Sequence, residues 1–316
     1  MSTIQFLMTS LSIIIVNWNT KDLLKNCLKS IYQYTSDLDF EVIVVDNGSS
    51  DGSIEMIRQE FPQIILIANS ENLGFAKANN LGFEKSRSAL PEYVLFLNSD
   101  TLIKENSFLK MVEVLRKDRK IGVLSPKLIE PDGKFQQEFY RKFPSLSQTF
   151  WLYLPPLNKL TYKIGFLRRK YLSDIKQKSG PVDNVNLPGA CLMMPAEVFR
   201  KIGLWDENFW IWLEDVDLCW RIKLAGYKLY FLSEAEIIHF GGSSFEKWDS
   251  FKMIYNFRLS YLKYFRKHKR KFQAFLVKWL FILNALFLIL PLIFIGFFAK
   301  KYWEKASAFW KFIKEF

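Results

Sequence analysis

Residues 11–53 read LSIIIVNWNTKDLLKNCLKSIYQYTSDLDFEVIVVDNGSSDGS. An apolar run, LSIIIVNWN, is followed by a helical stretch, LLKNCLKSIYQY, and then by a second apolar run that ends at Asp46. The alternation continues through SIEMIRQEF, IILIANSENLGFAKANNLGFEKS and EYVLFLNSDT, with a further helix near residues 105–117. Strands that alternate with helices point to a parallel sheet in an α/β layer fold. In such sheets a ligand sits beyond the carboxyl ends of the strands, so the polar residues that close each apolar run are the candidates for chemistry.

Two carboxylates stand at such ends. Asp46 closes VIVV and enters NGSSDGS, where Asn47-Gly48 is a turn pair and Ser50 or Asp51 can cap the next helix. Asp100 closes YVLFLNSD, with Asn98 two residues before it. A carboxylate in this place can hold a hard divalent cation that bridges a diphosphate, because magnesium and manganese prefer oxygen ligands.

The chain has 316 residues, of which 50% are hydrophobic and 17% aromatic, enough for a substantial core. Its net charge of +12 is unevenly placed. Residues 255–316 hold 13 Lys and Arg against 2 acids, whereas residues 1–254 hold 31 against 30. A neutral body with a basic tail argues against a nucleic-acid-binding protein and for contact with an anionic lipid surface. Neither the Walker nor the GxGxxG phosphate signature is present, which weakens a nucleoside triphosphatase or a dinucleotide enzyme.

Beyond the cluster Arg266 to Lys271, the 21 residues Trp279 to Ala299 carry no charge. At about 1.5 Å per residue they reach roughly 30 Å, the thickness of a bilayer core. Lys278 precedes the run, Lys300 and Lys301 follow it, and Pro291 permits a kink. Two geometries remain open: a single span, or a bent in-plane hairpin with both basic flanks on the cytoplasmic leaflet. A buried helix of a soluble core is the bland alternative. The final AFWKFIKEF has the pattern of an interfacial amphipathic helix. No secretory signal opens the sequence, which places the body in the cytoplasm. Cys27, Cys191 and Cys219 form no CxxC pair, as suits free thiols in a reducing compartment.

Residues 126 to about 180 lose the alternation and carry Pro144, Pro155, Pro156 and the basic Arg168-Arg169-Lys170, an excursion that suits an acceptor-facing role. Order returns in VNLPGACLMMPAEVFRKIG, a strand, a turn at Pro195 and a short helix. Then comes WIWLEDVDLCW, residues 210–220, with three carboxylates among three tryptophans. On helical spacing Glu214 and Asp217 share a face, and Arg221 stands four residues beyond Asp217. Acids at a helix start also suit the macrodipole. Asp215 points elsewhere and is the acid these structural explanations leave over.

Taken in order, SIIIVNWN, VVDNGSSDGS, ENLGFAKANN, LFLNSDT, LPGACLMM and WLEDVDLCWR resemble the successive motifs of the family 2 glycosyltransferases, in the branch resembling bacterial rhamnosyltransferases. The resemblance covers residues 11 to 245, and IIHFGGSS extends it through His239. It implies a GT-A fold, a Rossmann-like mixed sheet flanked by helices; residues 1–254 are then read as the catalytic domain, and the charge and apolar pattern reads 255–316 as a membrane-associating helical tail. It also implies a nucleotide-diphosphate sugar donor and inversion at the anomeric carbon.

Carried over by motif, Asn17 and Asp46 lie at the nucleoside, with Asp46 facing the base, and Gly74 and Asn79 line the nucleotide and sugar pocket. Asp100 is a ligand of a divalent cation, Mg or Mn, and His239 a second. Asp215, in the Glu214–Asp215 pair, is the catalytic base, with Trp210 and Trp212 as pocket walls. The metal motif departs from the family's Asp-x-Asp, since Asn98-Ser99-Asp100 offers a neutral ligand where an acid is usual.

The implied activity is transfer of a sugar, rhamnose by resemblance, to a hydroxyl of a lipid-linked glycan at the cytoplasmic face of the membrane, in cell-surface polysaccharide synthesis. Two rivals are sugar transfer directly to a polyprenyl phosphate and a catalytically silent nucleotide-sugar-binding scaffold.

Overall fold

A computed structural model describes residues 11–86, 91–154, 157–173, 175–241 and 250–296, with isolated positions from 303 to 314. The chain divides into two compact units. The first comprises Met1–Tyr140, Ile175–Trp210 and Glu214–Ser244; the second comprises Arg141–Asp174, Ile211–Leu213 and Phe245–Phe316.

The first unit begins β1 (Leu11–Asn17), α1 (Lys21–Tyr34), β2 (Phe40–Asp46), α2 (Ser53–Glu60), β3 (Ile65–Ala68), α3 (Phe75–Glu84) and β4 (Tyr93–Asn98). β1, β2, β3 and β4 pair in parallel, as alternating strands and helices require. Ile13, Ile14, Ile15, Val42 to Val45 and Val94 to Leu97 are all buried, so these strands read as apolar runs because both sheet faces are covered. The register aligns Asn17 with Asp46 and Val16 with Asn98, which brings the polar ends of three strands to one edge.

Past β4 the sheet becomes mixed. β5 (Thr101–Ile103), α4 (Ser107–Lys117) and β6 (Ile121–Ile129) come next. Three intervening helices belong to the second unit. β7 (Gly180–Val182), β8 (Cys191–Pro195), α8 (Ala196–Lys201), α9 (Glu214–Leu224) and β9 (Lys228–His239) complete the first. The nine strands run β3-β2-β1-β4-β8-β6-β9-β5, with β7 on β9. β8 is antiparallel to both β4 and β6, whereas β6 and β9 pair in parallel, so the continuous parallel sheet read from the alternation is interrupted at β8.

In the second unit, the irregular excursion of the sequence is helical: α5 (Leu146–Tyr153), α6 (Leu157–Lys163) and α7 (Gly165–Tyr171). A capping box starts α5, with Ser145 Oγ accepting from Gln148 N. α10 (Ser250–His268) and α11 (Lys271–Gly296) follow. Tyr153, Phe257, Tyr261 and Phe281 pack as an aromatic cluster with centroids 5.2 to 6.0 Å apart. Arg258 donates to the Phe281 carbonyl at 3.0 Å and to Asn284 Oδ1, which keeps this buried guanidinium hydrogen-bonded.

Among the described residues, no helix is long and apolar enough to cross a membrane. The uncharged run Trp279 to Ala299 extends past Gly296, beyond the described residues, and most of AFWKFIKEF lies there as well. Cys27, Cys191 and Cys219 are free and buried.

Candidate active site

At the carboxyl ends of β1 and β2, Asn17 Nδ2 donates to Asp46 Oδ2 at 2.7 Å, and Ser49 N donates to Asp46 Oδ1 at 2.8 Å. Both oxygens of the buried Asp46 carboxylate are therefore engaged in fixing the loop that follows. Thr20 Oγ1 donates to Asn17 Oδ1 at 2.7 Å and lies 2.8 Å from Ser99 Oγ, which carries the network to the end of β4. Asn17, Asp46, Thr20 and Ser99 are buried and Ser49 is half-buried, so the network sets loop geometry as a unit.

Gly74 opens α3 with φ 83° and ψ 174°, backbone that is essentially reserved for glycine. A Cβ there would meet Trp210 Cδ1 at 2.5 Å. Gly74 is thus the place where the 210 segment lies against α3, and Phe75 N donates to the Trp210 carbonyl at 3.1 Å. Asn79 is buried and donates to Phe75 O within the helix at 3.0 Å. Its neighbour Asn80 bonds both the N–H and the carbonyl of Trp205, at 3.0 and 2.9 Å.

The structure brings Asp100 and His239 together. Thr101 pairs with His239 across β5 and β9, Phe240 N donates to the Asp100 carbonyl at 3.0 Å, and His239 Nε2 lies 3.6 Å from Asp100 Oδ1. Gln136 Nε2 donates to the His239 carbonyl at 2.8 Å, which turns its Oε1 to His239 Nδ1 at 3.0 Å. Nδ1 therefore carries the ring proton and Nε2 keeps its lone pair. Burial holds the imidazole below its usual pKa, partly offset by the Asp100 carboxylate, in keeping with a neutral ring.

Two acceptor atoms thus face each other with no proton between them, an arrangement that a bridging cation would satisfy. The donor chemistry fits a divalent ion held by Asp100 and His239. Among the described residues no group of three or more His, Cys, Asp and Glu could hold a metal ion. Phosphate oxygens and water would have to complete the shell, as is usual for magnesium at nucleotide sites.

α9 begins at Glu214, directly after Trp212 and Leu213, two non-glycine residues with φ 60° and 64°. Such consecutive left-handed residues are strained, and strain of this kind clusters at functional sites. The half-buried Asp215 accepts from Gly189 N at 3.0 Å through Oδ2 and from Val216 N at 2.8 Å through Oδ1. A Cβ on Gly189 would sit 3.3 Å from the Asp215 Cβ, so the absent side chain makes room for this approach.

Glu214 is buried with Oε2 unpartnered, and burial, then the Asp215 and Asp217 carboxylates, push its pKa well above the usual carboxylate value. Its neutral form is favoured relative to that of an exposed carboxyl. Asp217 has the structural role its spacing suggests, accepting from Arg221 Nε at 2.8 Å while the guanidinium also bonds the Ile202 and Leu204 carbonyls. The ring of Trp212, expected at a pocket wall, packs against Phe257 of α10 with centroids 6.3 Å apart.

Gln136 and Gly189 are site residues that the sequence did not disclose. Pro188-Gly189 before an apolar run was a usable signal for Gly189, whereas Gln136 lies in a polar turn with none.

Glycosyl transferase family 2 matches residues 12–203, and glycosyl transferase family group 2 matches residues 157–311. The first match covers more than half of the chain, which belongs to glycosyl transferase family 2. It is similar to the N-acetylglucosaminyl-diphospho-decaprenol L-rhamnosyltransferase of Mycobacterium tuberculosis, 28% identical over 63% of this chain and 66% of that protein. The match thus spans just under two thirds of the mycobacterial relative's length. It is also similar to rhamnosyltransferase WbbL of Escherichia coli, 26% identical over 72% of this chain and 82% of the relative.

Among solved structures, the mannosyltransferase PcManGT of Pyrobaculum calidifontis, in complex with GDP-Man and Mn2+, superposes with a TM-score of 0.56 at 16% identity, over 96% of this chain and 85% of that one. GalNAc-T7, with UDP, GalNAc and Mn2+, gives a TM-score of 0.55 at 19% identity, over 73% and 43%. These likenesses show the GT-A-like fold.

Proposed function

We propose that the protein is an inverting glycosyltransferase that moves a sugar, rhamnose by similarity, from a nucleotide-diphosphate donor to a hydroxyl of a lipid-linked glycan, in cell-surface polysaccharide synthesis. The observation that carries the proposal is that Asp215, oriented by the Gly189 and Val216 N–H groups, shares one unit with the Asp100–His239 pair.

A sugar hydroxyl is a weak nucleophile at neutral pH, and Asp215 takes its proton as the bond to the anomeric carbon forms. Burial and the neighbouring acids raise the Glu214 pKa, which lessens the negative charge set against Asp215. Asp100 and His239 would hold a divalent cation, which when bound would supply positive charge to stabilise the departing diphosphate. Asn17 and Asp46 support the nucleoside through the loop they fix, and Gly74 and Asn79 shape the donor pocket beside Trp210.

The mycobacterial relative is named for an N-acetylglucosaminyl-diphospho-decaprenol, which supports a lipid-linked acceptor. Residues 255–316, basic and rich in apolar residues, hold the enzyme at the cytoplasmic face of the membrane.

The test is transfer by the full chain from uridine, guanosine and thymidine diphosphate sugars, with manganese or magnesium, to a polyprenyl diphosphate sugar or to bare polyprenyl phosphate. Transfer to the sugar hydroxyl with inverted configuration is expected. Exclusive use of polyprenyl phosphate would support the first rival, and no transfer from a folded sample that binds donor would support a silent scaffold.

A further inference from the structure

The turn between α6 and α7 combines two features that folding rarely leaves together on a surface. Residues Leu157–Tyr171, LNKLTYKIGFLRRKY, contain five Lys and Arg and no acid. Tyr162, Lys163, Ile164, Gly165 and Phe166 are all exposed, Tyr162 by 60% and Phe166 by 70%.

The inner side of the pair is well anchored. Thr161 Oγ1 donates to the Trp151 carbonyl at 3.1 Å, Tyr171 stacks on the Trp151 ring at 5.6 Å, and Gln148 Nε2 donates to the Tyr171 carbonyl at 2.7 Å. The exposed aromatic and aliphatic side chains therefore stand out from a fixed base.

Lys163, Arg168, Arg169 and Lys170 are exposed around them, with Lys170 Nζ 5.9 Å above the Phe166 ring. A surface that accepts Ile164 and Phe166 must be apolar, and one that compensates five cations without a single acid must be anionic. A leaflet of acidic lipids offers both, with headgroup phosphates above acyl chains. A nucleic acid offers charge but no apolar phase for Ile164.

We propose that the α6–α7 turn is a membrane-docking element: Tyr162, Ile164 and Phe166 enter the headgroup region of an anionic leaflet while Lys163, Arg168, Arg169 and Lys170 meet its phosphates. The element lies within the chain ahead of residues 255–316, so it is a contact separate from the one assigned above to the C-terminal region.

The experiment places an environment-sensitive fluorophore on Gly165→Cys, where an added Cβ meets nothing within 4 Å, in the full chain whose native cysteines are buried. With vesicles of equal parts phosphatidylglycerol and phosphatidylcholine, the emission should shift to the blue and be quenched by nitroxide-bearing lipid. Phosphatidylcholine alone should give neither. Arg168→Glu, Arg169→Glu and Lys170→Glu combined should weaken the response by on the order of 100-fold in lipid concentration.

A label that stays in water while the chain co-sediments with the mixed vesicles overturns the docking element and leaves attachment to the C-terminal region. A response equal with and without phosphatidylglycerol overturns the role of the cations. A chain that neither shifts nor co-sediments overturns both the element and the membrane placement of the proposed function.

Discussion

His239 Nε2 faces Asp100 Oδ1 across 3.6 Å, two groups far apart in sequence held together by the pairing of β5 with β9. Manganese alone should raise the melting temperature of the wild-type chain, since a ligand of the folded state stabilises it by mass action. His239→Ala and Asp100→Ala should each abolish that shift. An undiminished shift in either variant would remove the residue from the cation site.

Gln136 sets the His239 tautomer through two hydrogen bonds, at 2.8 and 3.0 Å. Gln136→Leu should weaken manganese affinity by about 10–100-fold, the usual effect of removing a partner that orients a metal-binding histidine. Manganese titration followed by electron paramagnetic resonance reads this without turnover. An affinity equal to wild type would mean that the imidazole is fixed by its packing on Phe139, 5.2 Å away, instead.

Gly74→Ala combines a backbone conformation reserved for glycine with a Cβ 2.5 Å from Trp210 Cδ1. The expected loss is about 2–4 kcal/mol from strain and overpacking together. Chemical denaturation should show it as a lower midpoint at unchanged slope. A loss below about 1 kcal/mol would show that the 210 segment yields easily.

Glu214 is pushed above the usual 4.5 by burial and by the acids beside it. The folded protein keeps this proton over a range in which the unfolded chain has released it, so stability falls as pH rises from about 4.5 toward the raised pKa. Glu214→Gln is neutral throughout and should lose that decline. Melting temperatures measured across pH for both proteins should diverge as pH rises; parallel profiles would mean the carboxyl is not held protonated.

The sheet's first half was legible because LSIIIVN, FEVIVVD and YVLFLN are buried on both faces, which makes each an uninterrupted apolar run ended by a polar residue. The antiparallel entry of β8 was not, since a strand's direction depends on partners distant in sequence. Helices α6 and α7 were hidden because their exposed apolar residues break the amphipathic pattern that normally reveals a helix. In the site, Asp217 could be paired with Arg221 from spacing alone, a local relation on one helix. Gln136 and Gly189 act on residues 103 and 26 positions away, and no local pattern encodes such contacts.

The central claim rests on Asp215 as the group that takes the acceptor proton. Asp215→Asn preserves shape and can still accept from Gly189 N through its carbonyl oxygen, but it cannot serve as a base. Transfer to a lipid-linked acceptor should fall by about 10²–10⁴-fold while thermal stabilisation by donor and manganese is retained. Transfer by Asp215→Asn at the wild-type rate would contradict the account.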